Sequence, residues 1–202
     1  DLQALGLGEV NYRGDHLTLG AMVRLQIIVE DAQAPNLLRE ATQREGPLTF
    51  RNVGTVGGVV VGANKESELL AALLVFEAEV SIQSKQGAQQ MLLVEFLQDV
   101  PAALDGGIVT AVSLATSGKT ASARVARTPA DQPIVAALVR LAPEGQLHLA
   151  LCGVANTPIL VDPNNVKATV NPPGDFRGSS AYRRQMAAVL AQRVVREVQD
   201  NT

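Results

Sequence analysis

Arg51-Asn52-Val53-Gly54-Thr55-Val56-Gly57-Gly58 places three glycines within the five residues from Gly54 to Gly58, shortly after a Gly46-Pro47 break. Without a Cβ, glycine lets backbone N–H groups approach a ligand closely or lets two elements pack tightly. A loop of this kind can cradle a phosphate or lie against a flat ring. It lacks the Gly-Lys-Ser/Thr ending of a P-loop and the spacing of a Rossmann dinucleotide fingerprint. From the residues alone, ligand contact and a structural bend are equal readings of the segment.

The flanking text sets the architecture. Upstream, two short β-prone pieces around Arg13-Gly14-Asp15 read as a hairpin over 10–19, with turn chemistry favoured over the integrin-type reading of that tripeptide. Apolar spacing predicts helices over 22–30 and 36–45, the second stopped by Gly46-Pro47. Downstream, Leu69, Leu70, Leu73 and Leu74 form the stripe of a helix over 66–76. Residues 80–83 and 91–94 read as paired strands around Lys85-Gln86-Gly87. From Ile108 onward four strand-like runs, at 108–114, 121–126, 134–141 and 146–151, are separated by turn residues and predict an antiparallel meander. Residues 162–173 read as loop. Residues 179–198 read as one amphipathic helix, with Met186, Val189, Leu190, Arg193, Val194 and Val198 on one side and Arg183 and Arg184 largely elsewhere. The expected fold is α+β in two parts: a helix-rich region over 1–107, and a small antiparallel sheet with a C-terminal helix over 108–202.

Composition narrows the function classes. With 47% hydrophobic residues in 202, the chain can bury a real core. A net charge of -3 with scattered charges of both signs argues against a nucleic-acid surface. No apolar run reaches the ~18 residues of a membrane span. The lone Cys152 excludes an internal disulfide, a cysteine-built zinc site and an iron–sulfur cluster. It lies in an apolar, strand-like run and reads as a buried structural thiol. The simplest compartment is the cytoplasm. His16 and His148 have no partner spacing that suggests catalysis or metal binding, and no acid, base or nucleophile stands out.

The whole phrase from Arg51 to Gly58 resembles the RNxGTxGG signature of the FAD-binding (medium) subunit of the molybdenum hydroxylases, the xanthine and carbon monoxide dehydrogenase group. The similarity extends in both directions. Leu19-Gly20-Ala21-Met22 resembles that family's IGA strand end, and Glu68-Leu69-Leu70 stands where it has Asp followed by apolar residues. Val125-Ala126-Arg127 with Asp131, and Gly153-Val154-Ala155-Asn156-Thr157-Pro158, resemble two landmarks of its C-terminal domain. Tyr182-Arg183-Arg184 resembles the opening of its last helix.

The resemblance implies a remnant of a PCMH-type FAD-binding domain over 1–107 and a flavoprotein C-terminal-like α+β domain over 108–202. It implies FAD as cofactor, with Asn52, Gly54, Thr55, Val56, Gly57, Gly58 and Glu68 as cofactor-binding residues and neither catalytic nor metal-ligating residues in this chain. It further implies an oxidoreductase in which FAD takes electrons from iron–sulfur centres and passes them to an acceptor. The partners would be a molybdenum-cofactor subunit and an iron–sulfur subunit.

Departures from the family pattern are specific. The family's Gly-Gly-Thr/Gln-Asp/Ser pyrophosphate loop has no counterpart in residues 1–30, so the chain joins the pattern after that subdomain. Val59 stands where Asn is usual, Asn64-Lys65 where Ser-Pro is usual, and Ser122 near the position of an aromatic that lies against the flavin. Losing stacking and hydrogen-bonding groups, each contributing about 0.5–1.5 kcal/mol, predicts weak FAD binding by this chain. The alternative implied is a homologue that does not bind FAD and serves as a scaffold or assembly module.

Overall fold

The computed structural model of the chain describes residues 2–200. Two compact units share it: residues 2–63 with 76–117 form the first, and residues 64–75 with 118–200 the second.

In the first unit a 3-10 turn at Leu2–Leu5 precedes strands β1 (Val10–Arg13) and β2 (His16–Gly20). They form the expected hairpin, with Gly14 at φ +61 in its turn. Helices α1 (Leu25–Glu30) and α2 (Asn36–Arg44) bury Leu25, Ile28, Leu37, Leu38 and Ala41. Helix α1 starts later than the expected residue 22, because Arg24 is extended, at φ -72 and ψ 143, and pairs with Thr55. Pro47 precedes the single-turn helix α3 (Leu48–Arg51), and helix α4 (Val56–Gly62) follows. The chain then contributes helix α5 (Glu68–Val75) to the second unit; all eight of its residues are buried. Ala63 and Glu77, close to the two crossing points, both adopt positive φ, at 45° and 53°.

Back in the first unit, strands β3 (Glu79–Ser84) and β4 (Gly87–Leu92) form a second hairpin. Helices α6 (Leu93–Phe96) and α7 (Val100–Leu104) lead to strand β5 (Ile108–Ala115). The sheet runs β1-β2-β5-β3-β4 and is antiparallel throughout. This corrects the expected break at 107/108. Strand β5 joins the two hairpins instead of opening the second meander, matching Leu114 to Leu17 and Val112 to both Leu19 and Val80. Those residues are all buried. Period-2 burial in β5 satisfies either sheet, so hydrophobic alternation could not assign it.

The second unit holds a meander of strands β6 (Lys119–Val125), β7 (Val135–Leu141), β8 (Leu147–Cys152) and β9 (Ile159–Leu160), in that order. The expected loop over 162–173 contains one turn of helix, α8 (Val166–Thr169), and the long helix α9 (Ser180–Asp200) closes the unit. Strand β7 is buried on both faces. Val135, Ala137 and Val139 join Ala187, Leu190, Ala191 and Val194 of α9 in one apolar cluster. The alternate residues Ala136, Leu138 and Arg140 point the other way, where α5 packs and Arg140 Nη1 donates to the Val75 carbonyl at 3.4 Å. Two-sided burial explains why this strand reads as a continuous apolar run.

The buried stripe of α9 is Arg183, Ala187, Leu190, Ala191, Val194 and Val198, while Val189 and Arg193 face solvent. Burial of Arg183 departs from expectation. Both terminal nitrogens of its guanidinium are engaged, Nη1 donating to Ile134 O at 2.6 Å and Gly153 O at 2.9 Å and Nη2 to Asp175 Oδ2 at 2.7 Å. Cys152 is buried, as its apolar setting predicted.

Candidate flavin ledge

The glycine segment is built into a ledge by its own backbone. Val56 N–H donates to Val23 O at 3.0 Å, Leu25 N–H to Gly54 O at 3.0 Å, and Gly57 N–H to Ala21 O at 2.9 Å. Residues 54–57 thus run antiparallel to residues 21–25, with Arg24 and Thr55 as directly opposed partners. Thr55 caps α4: its Oγ1 accepts from Gly58 N–H at 3.2 Å, which starts the helix one residue later. The expected glycine loop is therefore an extended strand-like piece followed by the first turn of a helix. None of Gly54, Gly57 and Gly58 has positive φ. Their role is steric: a Cβ on Gly57 would meet Ala21 at 2.9 Å, and one on Gly54 would meet Phe50 O at 3.1 Å.

Arg51 holds the segment from behind. Its Nη1 donates to Gln43 O at 3.0 Å and its Nε to Gln26 Oε1 at 2.9 Å. Asn52 is exposed at the end of α3, Val56 and Gly57 are buried, and Gly58 is exposed. So the fold brings Asn52, Gly54, Thr55, Val56, Gly57 and Gly58 together, with Asn52, Thr55 and Gly58 as the surface they offer.

Glu68 belongs to the second unit. Its carboxylate is 2% exposed and lies 2.9 Å from Arg124 Nε. Arg124 also donates to the carbonyls of Pro129, at 3.0 Å, and Asp131. Ser122 is a half-buried position of β6 opposite Leu138, and the backbone carbonyl of Lys65 accepts from Gly153 N–H at 2.7 Å.

Two cavities open on the ledge and share Met22 and Thr55. One, of about 290 Å³, is walled by Ala21, Val61, Leu104, Ile108 and Val109 together with Gly57, Gly58 and Gly107. The other, of about 370 Å³, is bordered by Leu7, Gly8, Arg24 and Val53. One side is apolar and the other carries a cation. Sequence reasoning missed Arg24 and the 104–109 wall; Arg24 was absorbed into an expected helix, and the wall is contributed by the end of α7, the turn after it and β5.

Fitting FAD to these residues gives a divided result. The apolar cavity suits a flat ring, and the second cavity offers a guanidinium to phosphate. The backbone donors are scarce, because the N–H groups of Val56, Gly57, Gly58 and Val59 all have partners within the chain.

The other charged cluster lies in the second unit and pairs its carboxylates with its own arginines. Arg177 pairs with Glu66, at 3.0 Å through Nη1, and with Asp175 at 3.2 Å, while Asp175 also accepts from Arg183. The hydrogen bond from Arg183, with those from Arg177, holds the Asp175 carboxyl well below the usual carboxylate range. Glu66 and Asp175 push the Arg177 guanidinium above its ordinary value. Among the described residues no cluster of His, Cys, Asp and Glu could hold a metal ion, and no helix is long and apolar enough to cross a membrane.

Comparison with known proteins places this geometry. Residues 1–116 match the family described as "FAD binding domain in molybdopterin dehydrogenase". The chain is 30% identical to the uncharacterized protein YgfM of Escherichia coli (strain K12), over 94% of this chain and 75% of that protein. It is 27% identical to the glyceraldehyde dehydrogenase medium chain of Sulfolobus acidocaldarius, over 95% of this chain and 80% of that one. Its fold matches a chain of carbon monoxide dehydrogenase from Hydrogenophaga pseudoflava at a TM-score of 0.86 and 18% identity, covering 96% of this chain and 78% of that one. A chain of quinoline 2-oxidoreductase from Pseudomonas putida 86 matches at 0.82 and 21% identity, covering 96% and 79%. The ledge, the two antiparallel sheets and the matched residues agree: the chain belongs to the FAD-binding, medium-chain family of the molybdenum hydroxylases.

Proposed function

We propose that this chain is the flavin subunit of a molybdenum hydroxylase-type oxidoreductase in the cytoplasm, passing electrons from iron–sulfur centres through FAD to an acceptor. Its partners are a molybdenum-cofactor subunit and an iron–sulfur subunit, as in xanthine and carbon monoxide dehydrogenases. The first unit is the FAD-binding-like part, and the second the flavoprotein C-terminal-like part. The observation that carries this reading is the ledge at Arg24 and Thr55, with an apolar cavity on one side and a cation-bearing cavity on the other. Such a pair suits a ligand with a flat ring and an anionic tail.

FAD supplies the redox chemistry when bound. The chain's residues position it: Met22, Val61 and Ile108 exclude water from an apolar ring, Gly58 leaves the ledge open, and Thr55 presents its backbone to the ligand. Asn52, Gly54, Val56 and Gly57 act by holding the ledge in shape. Glu68 acts through Arg124, fixing the turn at Pro129 to Asp131.

Purified protein should be tested by its absorbance in the flavin bands and by titration with FAD, following flavin fluorescence. One-to-one binding supports the flavin subunit, and the scarcity of free donors predicts that the isolated chain binds more weakly than micromolar. The engaged N–H groups favour a second reading, a homologue that serves as a scaffold or assembly module. Failure to bind FAD both alone and within its native complex would select that reading.

A further inference from the structure

Arg24 occupies a position that local stability does not explain. It stands at the N-cap of α1, where Ser, Thr, Asp and Asn are preferred, and makes no capping hydrogen bond. A cation beside a helix N-terminus also opposes the helix dipole. The side chain is exposed and, among the described residues, has neither an ion pair nor a side-chain hydrogen bond. A residue that breaks a local rule without compensating gain marks a candidate functional position.

Its surroundings give it a direction. Directly opposed residues on an antiparallel pair project from the same face, so Arg24 and Thr55 share one. Both border the cavity of about 370 Å³ with Leu7, Gly8, Met22 and Val53, a set that contains no carboxylate. At Gly8 a Cβ would meet nothing within 4 Å, so bare backbone faces open space there. Thr55 N–H has no partner among the described residues; in this non-hydrogen-bonded pair it points away from residues 21–25.

We propose that Arg24 receives the phosphate groups of a phosphate-bearing ligand seated on the ledge, and that it is the residue by which the chain distinguishes FAD from riboflavin. The assignment rests on the flavin reading above. A planar guanidinium can engage two phosphate oxygens at once.

The test titrates the chain, Arg24→Gln and Arg24→Lys with inorganic pyrophosphate, FAD and riboflavin at low salt, monitored by amide NMR shifts. Because Arg24 has no partners to lose, both variants should melt with the parent protein. Pyrophosphate should bind saturably and shift the Gly8 and Thr55 amides. Arg24→Gln should weaken pyrophosphate and FAD by at least about tenfold, or ~1.4 kcal/mol, and leave riboflavin unchanged, with Arg24→Lys between. Unchanged pyrophosphate and FAD affinity in Arg24→Gln would overturn the assignment while leaving the flavin reading intact. An Arg24-dependent pyrophosphate site without flavin binding would support the anion site and sink the flavin reading. Equal loss of FAD and riboflavin, or no binding of any probe, would overturn the assignment.

Discussion

Gly57 donates its backbone N–H to the Ala21 carbonyl at 2.9 Å, and a Cβ built on Gly57 would stand 2.9 Å from the Ala21 Cβ. The two segments of the ledge are therefore as close as backbones with one missing side chain allow. Gly57→Ala must push Ala21 away and should cost about 1–3 kcal/mol, with Gly57→Val costing more. Gly58→Ala meets only Thr55 Oγ1, at 3.2 Å, and in a helix should be neutral or stabilising by up to about 1 kcal/mol. Urea unfolding of the variants checks the contrast; equal effects at both positions would refute the steric account.

The Glu68–Arg124 pair should behave as a buried ion pair. Removing one partner strands the other, so Glu68→Ala or Arg124→Ala should each cost roughly 3–5 kcal/mol. The double variant should cost much less than the sum, because the stranded charge is gone. A double-mutant cycle in urea measures the coupling, and simple additivity would show that the two groups stand apart in solution.

Asp175 ties stability to acid pH. Its folded pKa is depressed by Arg183 first, then Arg177. A depressed carboxyl contributes stability fully present above its unfolded value of about 3.9 and lost as pH falls through the folded pKa. The stability difference between the parent chain and Asp175→Asn should be constant above about pH 5 and shrink below about pH 4. Unfolding measured from pH 2 to 7 tests the sign; a difference that grows in acid would contradict it.

Tyr12 ties it to alkaline pH. Burial, then the hydrogen bond to Asp31 and its charge, push the phenol above the ordinary tyrosine range. A raised folded pKa contributes stability present below the unfolded value near 10 and lost as pH rises through the folded pKa. In a Tyr182→Phe background, where Tyr12 is the one remaining tyrosine, absorbance at about 295 nm should show no ionisation at pH 10 until the protein unfolds. Ionisation of the native protein near pH 10 would show that Tyr12 is not held by Asp31.

Several elements were legible because they depend on local physics. The turn at Gly14, the Gly46-Pro47 stop, the leucine stripe of α5 and the length of α9 follow from φ limits, missing N–H groups and period 3.6. The motif from Arg51 to Gly58 marked the family, since its residues lie next to one another in the chain. Local pattern could not say which sheet receives β5, because alternating burial is satisfied by either one. Nor could it show that α5 leaves its neighbours to cover the back of β7. The same limit applied to the site. Sequence drew attention to the glycines, but long-range backbone pairing spends Gly54 and Gly57 on packing against Phe50 and Ala21 and brings Arg24 opposite Thr55. Buried charges were equally a tertiary outcome: Arg183 read as lying off the apolar side of α9 and Glu68 as a cofactor-binding residue, and only the convergence of Ile134, Gly153 and Asp175 on one, and of Arg124 on the other, provides the partners that let them be buried.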